Sequence, residues 1–452
     1  MEVSYRERIK RAKPILNRTT TSERLDRPER AVLAGAILPN DDHPTEDPLD
    51  EIRGLAESAG LVVVGESLQK RQKVDTATYI GSGKVEELKR LVESSDADLV
   101  IFDVDLGPGQ TRNLEKSLEV KVIDRTEVIL DIFASRARTH EAQLQVELAQ
   151  LEYAMPRLKR MWTHLSRYKG GVGVRGPGEK QLEEDRRLVS HRIQELKAKL
   201  SKVQSRKERE VAGRGEEPTV SLVGYTNAGK STLMNALTGA GVHVEDKLFA
   251  TLDTRTRRWR FKGGGLALLS DTVGFIRKLP HSLVASFKAT LEEARQSDLL
   301  LHVVDASSPE VESQIAAVNT VLEELGLAEH PTLLVFNKID RIRDRSDLAS
   351  LLEKYDGAIA IAAAKSIGLD RLEQGVREQL DERSLDVEVE TATADGVVLS
   401  YLARHARILD RKYDESSDRV SLACRLPRRL LDFLHEHGAK VRYRERLYSN
   451  TL

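Results

Sequence analysis

Apolar positions along this chain change rhythm several times. Between Arg30 and Ile123, short apolar runs alternate with helical spacings. Strands are expected at Arg30–Leu38, Leu61–Val64, Leu99–Asp103 and Val120–Ile123, with helices near Asp47–Ser58, Lys84–Val92 and Gln110–Ser117. Alternation of this kind predicts a small parallel sheet with helices on its faces, over residues 29–125. Residues 1–28 are arginine-rich and have no apolar period, so they read as a mobile arm. Gly81-Ser82-Gly83-Lys84 lacks the spacing of a nucleotide loop and reads as a turn entering a helix.

From Thr126 the step changes. Leu144, Leu148, Leu151, Met155 and Leu158 form one heptad seam, and Val189, Ile193, Leu196, Leu200 and Val203 form another. Two short seams joined by a loop predict an antiparallel helical hairpin over 126–210. Pro156 lies inside the first seam and is a candidate kink. Residues 211–218 read as a linker. A third segment, 219–380, again alternates strand and helix. Residues 386–452 predict a small α+β domain, with strands near Val387–Thr391, Arg419–Ala423 and Ala439–Tyr443 and helices near Val397–Leu409 and Pro427–His437.

The hairpin loop is unusual. Gly170, Gly171, Gly173, Gly176 and Gly178 crowd around Arg175, and so many glycines allow close backbone approach to a flat or grooved partner. Between Tyr153 and Glu210 there are 16 Lys/Arg against 7 Asp/Glu, a net of +9, while the whole chain carries −1. The remainder is therefore near −10. An extended basic arm on an otherwise acidic chain is suited to a phosphate backbone. Trp162, His164 and Tyr168 stand nearby as candidates for stacking on unpaired bases.

The totals narrow the setting. With one cysteine, Cys424, a disulfide within the chain is excluded, and Cys424 reads as a small buried hydrophobe. No apolar run has the length of a membrane span, and the N-terminus has no apolar signal core. The expectation is a cytoplasmic, monomeric protein.

The chemistry is concentrated in the third segment. Gly224-Tyr225-Thr226-Asn227-Ala228-Gly229-Lys230-Ser231-Thr232 follows an apolar strand and precedes a helix, which is the context of a phosphate-binding P-loop. Its glycines expose backbone N–H groups to an anion, Lys230 can reach the β and γ phosphates, and Ser231 can ligate Mg²⁺. Asn337-Lys338-Ile339-Asp340 names the base. Asp340 can accept from guanine N1–H and its 2-amino group together, Lys338 can lie along the ring, and Asn337 can tie this loop to the P-loop. Adenine would leave the acceptor pair unmatched. Ala363-Ala364-Lys365 would offer backbone N–H groups to guanine O6. Asp271-Thr272-Val273-Gly274 places Asp271 for Mg²⁺ and the Gly274 N–H for the γ-phosphate. In Phe249-Ala250-Thr251-Leu252-Asp253-Thr254, Thr251 is the first choice for a mobile Mg²⁺ ligand and Thr254 the second. Lys230, Thr251 and Gly274 are the residues expected to carry turnover. Phe275 follows Gly274 where many GTPases use a glutamine to orient water. Asn227 can help hold K⁺ beside the phosphates, or it can simply brace its loop.

Taken together, these motifs resemble the HflX GTPases. The P-loop, Phe-Ala-Thr-Leu-Asp from Phe249, Asp-Thr-Val-Gly-Phe-Ile from Asp271 and Asn-Lys-Ile-Asp from Asn337 carry the likeness, as does the tip Gly-Gly-Val-Gly-Val-Arg-Gly-Pro-Gly-Glu-Lys-Gln-Leu-Glu from Gly170. The resemblance covers about residues 29–452. It implies a ribosome-associated GTPase that binds the large subunit and its rRNA, extends the tip toward the peptidyl-transferase centre and splits stalled or idle ribosomes, with hydrolysis permitting release. A hydrophobic residue at Phe275 fits this branch; Ala363, where Ser is usual, departs from it and bears on nucleotide affinity. Two other readings stay open: a large-subunit assembly or rRNA-binding factor, and an ATP-dependent RNA helicase acting through the N-terminal domain.

Overall fold

A computed structural model describes residues 27–39, 47–161, 177–212, 217–239, 247–252, 254–262, 264–277, 293–382, 384–414, 418–427 and 430–443. The N-terminal arm up to residue 26 and the tip residues Gly170, Gly171, Gly173, Arg175 and Gly176 lie outside them, as do Trp162, His164 and Tyr168.

The first sheet has the order β2-β1-β3-β4, all parallel, from β1 (Arg30–Ile37), β2 (Val62–Lys70), β3 (Leu99–Phe102) and β4 (Lys121–Asp124). β1 is apolar without interruption because both its faces are covered. Ala31 and Leu33 face α1 (Asp50–Ser58) through Ile52 and Leu55. Val32 and Ala34 face α2 (Ser82–Ser95) and α3 (Pro108–Leu118) through Val85, Leu88 and Leu114. β2 runs past Val64, where the apolar run stops, because its half-buried positions continue to pair with β1 up to Lys70.

At Thr126 the chain does not yet enter the hairpin. α4 (Arg125–Arg136) begins there, capped by Asp124, whose carboxylate accepts from the Glu127 N–H at 2.9 Å. Val128, Ile129, Ile132 and Phe133 of α4 belong to the first core. The hairpin proper is α5 (His140–Met161) and α6 (Pro177–Ala212), with Gly178 in the first turn of α6. Leu144, Leu148, Leu151, Ile193 and Leu196 form its seam, with Met155, Val189 and Leu200 packed alongside. α5 continues through Pro156. The next residue, Arg157, donates to Leu106 O at 3.0 Å and to Asp124 Oδ2 at 2.9 Å, with its guanidinium 3.5 Å from the Tyr153 ring centre. The loop-side end of α5 is thereby fastened to the cap of α4.

The second sheet has the order β10-β9-β8-β5-β7-β6. β5 (Thr219–Val223), β7 (Leu266–Asp271), β8 (Leu299–Asp305), β9 (Thr332–Asn337) and β10 (Ile359–Ala360) are parallel. The alternation over 219–380 predicts a parallel sheet flanked by helices; one edge, β6 (Arg255–Arg260), is antiparallel, paired with β7. The C-terminal strands β11 (Ser384–Ala392), β12 (Arg407–Asp414), β13 (Arg419–Pro427) and β14 (Lys440–Tyr443) form an antiparallel sheet, order β12-β13-β11-β14. With helices at Gly396–His405 and Leu431–Glu436, this is a split βαβ arrangement. Cys424 is fully buried in its core, and burial pushes its thiol up to about 12, so it acts as a small hydrophobe. No helix among the described residues is long and apolar enough to cross a membrane.

The first core does not stop at the N-terminal sheet. Val223, Tyr225, Phe249, Leu252, Val273, Phe275 and Ile276 of the second sheet and its loops join it. Phe249 meets Phe133 edge to face, centroids 4.8 Å apart.

Candidate nucleotide site

β5 delivers the chain into the P-loop, and the helix Lys230–Thr238 leaves it. Two glycines there cannot be replaced without rebuilding the loop. Gly224 has φ 146°, and a Cβ would lie 2.1 Å from Val303 O; Gly229 has φ 94°, and a Cβ would lie 2.4 Å from Asn337 Nδ2. The loop is tied to the segment after β7 by Thr226 N–H donating to Phe275 O at 2.7 Å and Phe275 N–H donating to Gly224 O at 3.1 Å. Lys230 is buried and donates to Gly224 O and Tyr225 O at 3.0 and 2.8 Å. Burial pushes its ammonium down to about 8, against the pull of Asp271.

Thr226, Asn227, Gly229, Lys230, Ser231, Thr232, Phe249, Ala250, Thr251 and Gly274 line one cleft, together with Lys247, which no sequence motif marks. At its wall Ser231 and Thr251 converge with the buried Asp271, the three residues expected to hold Mg²⁺. Ser231 Oγ donates to Asp271 Oδ2 at 2.6 Å and shares a hydrogen bond with Thr251 Oγ1 at 2.8 Å. Asp271 is fully buried, and its second oxygen, Oδ1, has no hydrogen-bond partner among the described residues. Burial pushes its carboxyl up while Lys230 and Ser231 pull it down. Two hydroxyls and a carboxylate with a spare buried lone pair are the hard oxygen set that suits Mg²⁺. Thr254, the second choice, has its own buried Oγ1 without a partner. Gly274 lies against the P-loop so closely that a Cβ would come 2.9 Å from Thr226 Cα and 3.1 Å from Lys230 Nζ.

At the base-reading end, Asn337 joins three loops. Its Nδ2 donates to Ala228 O at 2.9 Å and its Oδ1 accepts from the Ala363 N–H at 3.0 Å. The main chain of Ala363 supplies this tie, so its missing hydroxyl does not leave the loop unfastened. Lys338, at φ 60°, extends to Asp305 Oδ2 at 2.7 Å. Ile339 N–H donates to Ile361 O at 3.2 Å, and Asp340 pairs with Lys365 at 3.1 Å. Ala364 is exposed beside them.

The side chains of some predicted residues turn away from the cleft. Phe249 and Val273 turn their side chains into the inter-domain core. Thr272 turns under the sheet, donating to Leu222 O at 2.7 Å. Tyr225 points into the N-terminal domain, where its hydroxyl donates to Glu51 Oε1 at 2.9 Å and accepts from the Arg277 N–H at 2.8 Å. Glu51 also receives the guanidinium groups of Arg125 and Arg277. Burial pushes the Glu51 carboxyl up, but the two arginines outweigh it and hold the group below its usual range. Arg125 further pairs with Asp103 at 2.6 Å and donates to Arg277 O at 3.0 Å; Arg277 reaches Glu310 at 3.2 Å. None of Glu51, Arg125 or Arg277 was singled out from sequence, because nothing local distinguishes them from surface charges.

Comparison with known proteins gives the same picture. Family models described as GTP-binding GTPase N-terminal, GTP-binding GTPase Middle Region and 50S ribosome-binding GTPase match residues 46–134, 136–214 and 219–338. GTPase HflX of Magnetococcus marinus is 47% identical over 426 residues, covering 92% of this chain and 98% of its own length. GTPase HflX of Escherichia coli is 45% identical over 410 residues, covering 90% and 95%. A solved GTP-binding protein from Sulfolobus solfataricus in complex with GDP aligns with 78% of this chain and 98% of its own, at 25% identity and a TM-score of 0.42. On the strength of the curated relatives and the three consecutive family matches, the chain belongs to the HflX family of GTPases.

Proposed function

We propose that this GTPase acts on the large ribosomal subunit as a monomer, splitting stalled or idle ribosomes in its GTP state and resetting by hydrolysis. The observation that carries the reading is the position of α4. Its cap, Asp124, holds Arg157 of the hairpin; its first residue, Arg125, holds Glu51 and the backbone of Arg277; its Phe133 holds Phe249. One helix thus touches the loop before Thr251, the loop after Gly274 and, through Arg157, the far end of α5. Reordering of either loop by nucleotide has a short mechanical route into the hairpin.

In this reading Lys230 and the P-loop N–H groups bind the β and γ phosphates, and the Gly274 N–H reports the γ-phosphate. Mg²⁺ would be held by Ser231, Thr251 and Asp271; when bound it neutralises charge shared by the β and γ phosphates. Asp340, Lys338 and the Ala363–Lys365 turn select guanine. Phe275 is buried in the inter-domain core and offers the attacking water nothing polar. The polarity must come from a partner or from a cation beside Asn227, whose φ of 59° turns it at the loop crest.

Light scattering of intact ribosomes tests the reading. The chain with GTP, or with a non-hydrolysable analogue, should dissociate subunits, and deletion of 170–178 should abolish dissociation while sparing turnover of the free protein. No dissociation with either nucleotide would favour an rRNA-binding assembly factor. Unwinding of RNA that survives Lys230→Ala would favour the N-terminal helicase.

A further inference from the structure

The antiparallel edge strand β6 is a strongly charged surface that the nucleotide site does not use. It reads Arg255-Thr256-Arg257-Arg258-Trp259-Arg260 and is followed by Lys262. Trp259 is 1% exposed and anchors the strand, packed against Phe261 at 4.8 Å between ring centres. Arg255 lies opposite Asp271 in the strand pairing and belongs with the nucleotide site. Arg257, Arg258 and Arg260 are exposed and lie opposite Leu269, Leu268 and Leu266, so no acid faces them across the ladder. Among the described residues, the one carboxylate within ion-pairing distance of the three is Glu217, 3.8 Å from Arg258.

Edge strands are commonly protected from pairing by charged side chains, lysine above all. The charges on the other edges of these sheets are few, mixed or set opposite acids: β10 (Ile359–Ala360) carries none, and β4 carries Lys121 with Asp124. β2 carries Glu66 with Lys70, and β12 mixes Arg407, Arg411 and Lys412 with Asp410 and Asp414. On β14, Lys440 and Arg442 lie opposite Glu390 and Glu388. Among the described edge strands, β6 alone carries three exposed arginines with no acid on the strand or directly across it. Arg258 and Arg260 project about 6.8 Å apart along one side of the strand, a repeat close to that of successive phosphates on a single nucleic-acid strand. Guanidinium groups grip such oxygens two at a time.

We propose that β6 is a second RNA-contacting surface, gripping the phosphate backbone of a folded RNA through Arg257, Arg258 and Arg260. The inference rests on the large-subunit reading above and adds to it a contact made by other residues than the hairpin loop. Its position gives the contact a consequence. β6 starts four residues after Thr251, and its partner β7 ends on Asp271. RNA held on β6 therefore bears on both loops that carry the expected Mg²⁺ oxygens.

Sedimentation with purified large ribosomal subunits across a KCl series tests this. An Arg257→Gln/Arg260→Gln chain should bind about tenfold more weakly, with the slope of log affinity against log salt shallower by about 2. GTP turnover of the free variant should match the wild type, which also confirms its fold. A photoreactive p-benzoylphenylalanine in place of Arg260 alone should crosslink to rRNA. Unchanged affinity and slope, or a crosslink to ribosomal protein alone, overturns the proposal. A wild-type chain that does not sediment with large subunits removes the large-subunit reading itself, and this inference with it; a variant that binds like a sedimenting wild type removes the inference only.

Discussion

The Tyr225 hydroxyl donates to Glu51 Oε1 at 2.9 Å, joining the second residue of the P-loop to a helix of the N-terminal domain 174 positions earlier. The same carboxylate receives Arg125 and Arg277, and its side chain is 11% exposed. A buried acid serving three donors is costly to remove, because Arg125 and Arg277 each lose one of their two acidic partners and keep only Asp103 and Glu310. Glu51→Ala should lower stability by about 3 kcal/mol in denaturant unfolding. Tyr225→Phe alone should cost about 1–2 kcal/mol, and much less in the Glu51→Ala background. Additive costs would show that the hydroxyl and the carboxylate do not work together.

Asn337 is the knot of the base-reading end, since Ala228 O and the Ala363 N–H both depend on its amide. Asn337→Ala should weaken GTP and GDP alike by about tenfold or more, as two loops lose their tie. Asp340→Asn should act differently: guanine is penalised, and xanthosine triphosphate gains because an acceptor becomes in part a donor. Competition binding with GTP, ATP and xanthosine triphosphate separates the two effects. An unchanged base preference in Asp340→Asn would remove its role as the base reader.

Phe275 is 2% exposed and locked to the P-loop through its backbone, so the side chain cannot swing out to order water without opening the domain junction. If a cation beside Asn227 supplies the missing polarity, turnover in KCl should exceed that in NaCl by about tenfold or more, a contrast that Asn227→Ala removes. Equal rates in the two salts would leave Asn227 as a brace for its loop.

The parts legible in sequence were those governed by local rules. Phosphate loops need glycine at fixed offsets, and Gly224 and Gly229 show why in their positive φ and crowded Cβ positions. β1, β3 and the hairpin seam are visible in sequence because burial on both faces, or along one stripe, leaves a period. β6 is not, since five of its six residues are Arg or Thr and a single Trp supplies the burial. Sequence does not separate α4 from the hairpin, because helix follows helix there and only packing shows which core each joins. The Glu51–Arg125–Arg277 junction has no local signature at all. Its members come together across 226 positions, and the charge of each is indistinguishable in sequence from a solvated one.

His302 supplies a pH dependence independent of the nucleotide chemistry. It lies on β8 in the middle of the second sheet, opposite Val223 on one side and Leu334 on the other. The residue is 2% exposed, and its Nε2 has no hydrogen-bond partner among the described residues. Burial, and then the charge of Lys230, hold its imidazole down at about 4. An unfolded histidine titrates near 6.5, so between roughly pH 6.5 and 4 the unfolded chain binds the proton more readily than the folded one. Stability from this group is therefore complete above about pH 6.5 and declines as the solution is acidified toward 4. At pH 5 the loss amounts to about 2 kcal/mol. His302→Leu keeps the volume and cannot take up a proton, so the wild type should lose about 2 kcal/mol more than the variant between pH 7.5 and 5. Denaturant unfolding followed by Trp259 fluorescence, with Trp162→Phe in both chains, reads the domain that holds the histidine. Parallel pH profiles would mean that the imidazole finds a proton acceptor or water in the folded core and titrates there as it does in solvent.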